Sequence, residues 1–325
     1  MLKAAIVGMG KWGRTLVESV QGKPASRIGF VAGSTRTPEG AAEWAAAQGV
    51  RLLPSYEAVL DDPAVDGVVL ATPHAQHAAQ IVAAARAGKH VFVEKPFALT
   101  KASAEAAVAA CETARVVLAL GHNRRFLPAA QETKRLLASG ELGTLLHVEG
   151  QFSGPSAAGY RRSSWRTDPG ESPLGGMGGM GIHVVDMFIH LVGRVSEVTV
   201  LSSARALDNG MDDTTAALFR FASGATGNFA TLALAARYWR VALFGSDGFA
   251  EMRGPGTLVH GRRVGEGWTR TFSAVDTEHA ELQAFAAAAT GGPPYPLPLD
   301  EAIHGVAIFE TMAAAARLGR TLAVE

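Results

Sequence analysis

At 325 residues the chain is long enough for two domains of ordinary size. Hydrophobic residues make up 48% and charged ones 18%, which supports sizeable cores and argues against disorder. Thirty Lys and Arg balance thirty Asp and Glu, so the charge footprint of a nucleic-acid binder is missing. No apolar run approaches the roughly 18 residues of a membrane span. The single cysteine, Cys111, excludes an intramolecular disulfide framework and agrees with a cytoplasmic setting. The amino terminus runs directly into glycines and reads as a first strand rather than a leader.

Through residue 122, short apolar strand-like runs (4–7, 28–32, 65–71, 90–93 and 116–120) alternate with alanine-rich helical stretches (15–21, 40–48, 76–87 and 101–113). Strands apolar on both faces and separated by helices predict a doubly wound parallel sheet. From residue 123 the rhythm changes. A helix at 128–138 and a strand at 145–152 precede a long polar loop, 153–176, and a helix at 181–192. Runs at 198–203, 214–221, 226–233, 240–244 and 256–260 follow, joined by turns short enough for antiparallel pairing. Helices at 278–289 and 301–318 close the chain. The expected fold is α/β: a dinucleotide-binding Rossmann domain at 1–122, then an α+β domain at 123–325 with an open, mainly antiparallel sheet. Such a sheet face needs a cover, so a homo-oligomer, dimer or tetramer, is expected.

Gly8-Met9-Gly10-Lys11-Trp12-Gly13 is a G-x-G-x-x-G directly after the first strand and at the start of a helix. Gly8 suits a tight turn, Gly10 close approach of a pyrophosphate, and Gly13 close helix–strand packing; helix N–H groups face the anion. Lys11 and Trp12 belong to the same cofactor turn. At the end of the second strand stand Ser34, Thr35 and Arg36, where a carboxylate would select the ribose 2′-hydroxyl of NAD. Two hydroxyls and a guanidinium suit a 2′-phosphate instead, so NADP is favoured over NAD.

Ala71-Thr72-Pro73-His74-Ala75-Gln76-His77 follows the 65–71 strand, and Val93-Glu94-Lys95-Pro96 ends the next. With the glycine turn and the later Gly181-Ile182-His183-Val184-Val185-Asp186, these resemble the Gfo/Idh/MocA family of NAD(P)-dependent oxidoreductases along essentially the whole chain. The resemblance implies hydride transfer between a nicotinamide and the hydroxyl-bearing or carbonyl carbon of a small polar substrate. Sugars, polyols, cyclic diols and hydroxy acids are the candidate substrates. It implies roles for Thr72, Pro73 and His77 around the nicotinamide, and for Glu94 beside Lys95. Lys95 stands at the carboxyl end of a parallel strand, where open α/β sheets place ligands, and its ammonium can bond a substrate hydroxyl and share in proton transfer. His183 matches the family's catalytic-region histidine and Asp186 its following acid. His183, Asp186 and His190 form one polar stripe on an apolar helix; His190 reads as a core or surface residue.

The chain also departs from the family pattern. Sugar- and inositol-oxidising members carry an Asp four residues before that histidine, whereas Gly179 stands here. A catalytically reduced NADP-binding regulator of the same fold is therefore a second reading. Trp165-Arg166, within an arginine-rich loop that includes Arg161 and Arg162, sits where members bring residues toward substrate; Arg166 could hold an anion bidentately. His122 and Arg125, after the last parallel strand, are further candidate substrate contacts. His74 and His77 lack a completing ligand cluster, so no metal is expected. Neither a nucleic-acid nor a membrane partner is implied.

Overall fold

The computed structural model describes all 325 residues and divides them into two compact units, Met1–Asn123 with Asp276–Ile303, and Arg124–Val275 with His304–Glu325.

The first unit runs β1 (Leu2–Val7), α1 (Lys11–Val20), β2 (Ile28–Ser34), α2 (Ala42–Ala47), β3 (Arg51–Leu52), α3 (Tyr56–Leu60), β4 (Gly67–Leu70), α4 (His77–Arg86), β5 (His90–Glu94), α5 (Lys101–Ala114) and β6 (Leu118–Gly121). Its six strands are parallel in the order β3-β2-β1-β4-β5-β6. All four residues of β4 and of β6 are buried, as a sheet covered on both faces requires. The strand order reverses between β1 and β4, the switch point at which such sheets bind ligands. Thr100 caps α5 by accepting the Ser103 N–H, as its position before the helix suggests. The two-residue β3 and five-residue α3 are too short to leave a periodic signal in the sequence.

The second unit contains α6 (Pro128–Ala138), β7 (Leu145–Ser153), α7 (Gly181–Val192), β8 (Val195–Ser203), β9 (Thr214–Phe221), β10 (Thr226–Leu232), β11 (Tyr238–Gly245), β12 (Gly248–Arg253), β13 (Thr257–Arg262) and β14 (Trp268–Thr271). The tail runs α8 (Thr277–Ala289), which belongs to the first unit, then α9 (Leu299–Leu318) and β15 (Leu322–Ala323). Nine strands form one sheet, β14-β13-β12-β11-β7-β10-β9-β8-β15, antiparallel except for the β7–β10 pair. Gly150 in β7 seats α7: a Cβ there would lie 2.3 Å from a Val184 methyl and 2.9 Å from the Phe188 ring. Phe188 in turn packs edge-on against Phe219 and Phe221. The sheet's other face carries Arg240 between Glu149 (2.7 Å) and Glu251 (2.6 Å), with Leu201 and Leu218 exposed.

Two kinds of feature in the tail and sheet differ from the reading above. Strands β12, β14 and β15 have no counterpart in it: the Phe-Ala-Glu-Met-Arg alternation of β12 carries charges on one face and reads as polar, β14 is a four-residue Trp-Thr-Arg-Thr run, and β15 has two residues. Residues Asp276–Ile303 group with the first unit rather than with the rest of the 123–325 segment. The physical reason is apolar burial: Leu282, Phe285 and Ala286 of α8 are fully buried in the core that holds Phe30, Val69 and Phe92. Gln283 accepts the Arg27 N–H and donates to Ser26, and His279 bonds the Ser19 carbonyl.

Candidate active site

In the first unit the glycine turn is built for different reasons at each position. Gly8 has φ of +94°, and a Cβ would fall 2.5 Å from the Ala71 carbonyl oxygen, so the loops after β1 and β4 touch only because this residue is glycine. A Cβ at Gly13 would lie 2.0 Å from the Gly8 oxygen, which fixes the closeness of α1 to β1. Gly10 is different. Its φ is −69°, and nothing lies within 4 Å of where a Cβ would be. No protein atom demands glycine there; close approach of a pyrophosphate would. Gly10 is also the N-cap of α1 without a side-chain hydrogen bond, and no acid occupies the first turn beside Lys11. The residues present therefore fit a dinucleotide.

At the end of β2, Ser34 is buried at 5% exposure, Thr35 is half-buried and Arg36 is exposed. The side chains free to meet a cofactor's ribose are thus Thr35 and Arg36, with Ser34 turned inward.

Glu94 closes β5 inside the unit. Its carboxylate accepts the Lys95 backbone N–H at 3.3 Å and a hydrogen bond from Trp12, and lies against Gly121, where a Cβ would stand 2.9 Å from Oε1. Burial pushes the Glu94 carboxyl up to about 7, reinforced by Glu278 and opposed by the Lys95 charge and the Trp12 bond. Glu278, from α8, also bonds Asn123 at 2.8 Å, an acid supplied by the tail with no local signal in the chain. Lys95 is half-buried immediately beyond the strand, and His122 is buried after β6. Thr72 donates to Gln80 at 2.6 Å, and His77 lies wholly inside, its ring nitrogens on the carbonyls of Pro96 and Thr72.

The raised Glu94 pKa has a stability consequence. The folded chain holds a proton that the unfolded carboxyl releases near its ordinary value, so this contribution is full below that value and is lost as pH rises toward about 7. The melting temperature of Glu94→Gln, relative to wild type, should therefore be higher at about pH 8 than at about pH 5. A difference that does not change with pH would show that Glu94 ionises freely in the fold.

In the second unit, Arg125 and Asp186 find each other across 61 residues. Nε lies 3.0 Å from both carboxylate oxygens and Nη2 2.7 Å from Oδ1, with the two side chains 3% and 5% exposed. The substrate contacts expected of these two residues are thus paired with each other in the interior, where a guanidinium and a carboxylate so placed neutralise each other. His190, on the same stripe, is held at about 4 by burial and by the nearby Arg125 and Lys134 charges. His183 is buried with its ring 5.9 Å from Phe152. The Arg124 guanidinium stands 5.4 Å from both the Phe152 and Trp239 rings, which meet edge-to-face at 5.3 Å. Arg124, beside the singled-out Arg125, was missed; its aromatic partners lie in strands far along the chain.

Arg166 stacks on Trp165 (4.3 Å) and Tyr160 (5.5 Å), and Arg162 donates to the Asp208 carbonyl. The glycine run before α7 is resolved position by position. Gly175 has φ of +55°, and a Cβ would collide with the Asp212 oxygen at 1.8 Å. At Gly181 it would meet Met177 at 2.4 Å and Phe229 at 2.7 Å. Gly179 is exposed, and a Cβ there would find nothing nearer than the Gly176 oxygen at 4.0 Å. Packing does not forbid an Asp at 179.

A glycine turn on the first strand of a β3-β2-β1-β4-β5-β6 parallel sheet, with Glu-Lys at the end of β5, defines an NAD(P)-binding oxidoreductase. The chain belongs to the Gfo/Idh/MocA family: residues 2–122 match its oxidoreductase domain with NAD-binding Rossmann fold, and residues 130–251 its C-terminal domain. It is 31% identical over 258 residues to the oxidoreductase YrbE of Bacillus subtilis, covering 75% of this chain and 72% of that one. It is 32% identical over 197 residues to levoglucosan dehydrogenase of Pseudarthrobacter phenanthrenivorans, a match spanning 53% of this chain and half of that protein. A solved structure of a levoglucosan dehydrogenase with NADH and levoglucosan superposes with a TM-score of 0.88 at 24% identity, covering 99% of both chains, a likeness of fold. No helix is long and apolar enough to cross a membrane.

Proposed function

We propose that this protein is an NAD(P)-dependent dehydrogenase or reductase that interconverts a secondary alcohol and a carbonyl on a small polar substrate. The observation that carries this reading is the Glu94-Lys95 pair at the carboxyl end of β5, in the same unit as a Gly10 whose Cβ position is open to the close approach of a ligand. The bound nicotinamide supplies the hydride chemistry. Gly8, Gly10 and Gly13 shape the turn that receives the pyrophosphate, and Lys11 and Trp12 open the helix above it. Trp12 also steadies Glu94. Thr72 and Pro73 border the nicotinamide. Lys95 bonds the reacting oxygen and gives or takes its proton, with His183 as the second proton-handling group. Trp165 and Arg166 contact the substrate, as does His122.

Two observations bear on specificity. Gly179 leaves open the place of a carboxylate that would accept bonds from a polyol, and the Arg166 guanidinium stands over the Trp165 and Tyr160 rings at 4.3 and 5.5 Å. Reduction of NADP⁺ and NAD⁺ by a panel of levoglucosan, glucose, inositols, a cyclic diol, gluconate and glucuronate tests the reading. Turnover of at least one hydroxyl compound is expected, with acids preferred to their neutral counterparts. A protein that binds the cofactor and turns over none would instead be the regulator that Gly179 first suggested.

For the cofactor, the exposed Arg36 and the absence of an acid at 34–36 favour NADP over NAD. NADPH should bind more tightly than NADH, and Arg36→Ala should cost NADPH roughly ten- to a hundredfold, the value of a charge-assisted bond, while sparing NADH. Equal affinities in fluorescence titration would reject the preference. A homo-oligomer that covers the Leu201 and Leu218 face, in the cytoplasm, completes the reading.

A further inference from the structure

His77 opens α4 and is 0% exposed. Its Nδ1 lies 2.7 Å from the Pro96 carbonyl oxygen and its Nε2 3.0 Å from that of Thr72. Carbonyl oxygens only accept, so each contact calls for an N–H on the ring; a neutral imidazole has one and an imidazolium two. Burial draws its pKa down and the two carbonyls draw it back up. In either state the ring spans two backbone segments, one just beyond β4 and the other just beyond β5. Helix α4 holds the first segment a second time, through Gln80 on the Thr72 hydroxyl. A buried polar ring is costly unless it is bonded, and an apolar residue would fill the space without that cost. What the imidazole adds is the pair of contacts, and one of them falls on the residue after Lys95.

We propose that His77 is a positioning residue, tying the Thr72 and Pro96 carbonyls together and thereby fixing the backbone from which Lys95 projects. This replaces a direct contact of His77 with the nicotinamide, since both ring nitrogens face backbone. It rests on the reading of Lys95 as the residue that handles the substrate proton.

Competitive acetylation with acetic anhydride, read lysine by lysine with mass spectrometry, reports how Lys95 is presented and needs no substrate. His77→Phe keeps a ring and removes both ring nitrogens. It should raise Lys95 labelling about fivefold, the equivalent of one ordinary hydrogen bond. Lys89, held by the carbonyls of Asp62 and Val65, should label as in wild type. His77→Gln, with one amide donor, should restore part of the protection; if the phenylalanine variant does not fold, the glutamine variant carries the same comparison. Wild-type labelling of Lys95 in a folded variant would overturn the proposal, as would a rise at Lys89 equal to that at Lys95. Should Lys95→Met leave turnover intact, the catalytic reading fails, while the labelling still decides whether the tie exists.

Discussion

Lys95→Met should abolish most turnover and leave cofactor affinity nearly intact. Methionine keeps the unbranched stem and drops the ammonium, so the half-buried position beyond β5 stays filled. A general acid or base is worth about 10²–10⁴-fold, and the loss in kcat should fall in that range. Glycines 8, 10 and 13 are untouched, so NADPH titration should give the wild-type curve. A loss under about tenfold would exclude Lys95 as the proton-handling residue. His183→Asn should lower kcat by a smaller factor; if it is harmless, the buried histidine beside Phe152 is part of the core.

Asp186→Asn should destabilise the second unit by about 3–5 kcal/mol, because it strands the Arg125 guanidinium in the interior. The pair is 3% and 5% exposed with three N–O distances of 2.7 to 3.0 Å, a geometry in which each charge depends on the other. Replacing both partners by apolar residues, Arg125→Met with Asp186→Leu, should recover much of the loss, since the desolvation cost leaves with the charges. Denaturant unfolding of the single and double variants measures this. A cost below about 1 kcal/mol with a raised KM would return the two residues to the substrate-contact role first expected of them.

These two residues also show what the sequence could and could not convey. Arg125 and Asp186 were each singled out, but their partnership spans 61 residues and has no local signature. The same holds for Arg124 against Phe152 and Trp239, and for Glu278 beside Asn123. The glycine turn, the Glu94-Lys95 strand end and the 128–138 and 181–192 helices were legible because each is written in consecutive residues whose periodicity or backbone demands are local. Helix α8 was legible as a helix but not as part of the first unit; its alanine-rich surface does not name the core it joins. Gly179 was visible as a departure, and only the open space around it shows that packing did not require glycine.

In the proposed reaction hydride passes between substrate carbon and nicotinamide. Its most direct test incubates the enzyme and NADP⁺ with the panel compounds deuterated at the carbinol carbon and follows the cofactor by mass spectrometry. Reduced cofactor carrying one deuterium on the nicotinamide ring, with the label lost by Lys95→Met, is the expected result. A cofactor whose mass is unchanged with every compound, though it binds tightly, would contradict the account.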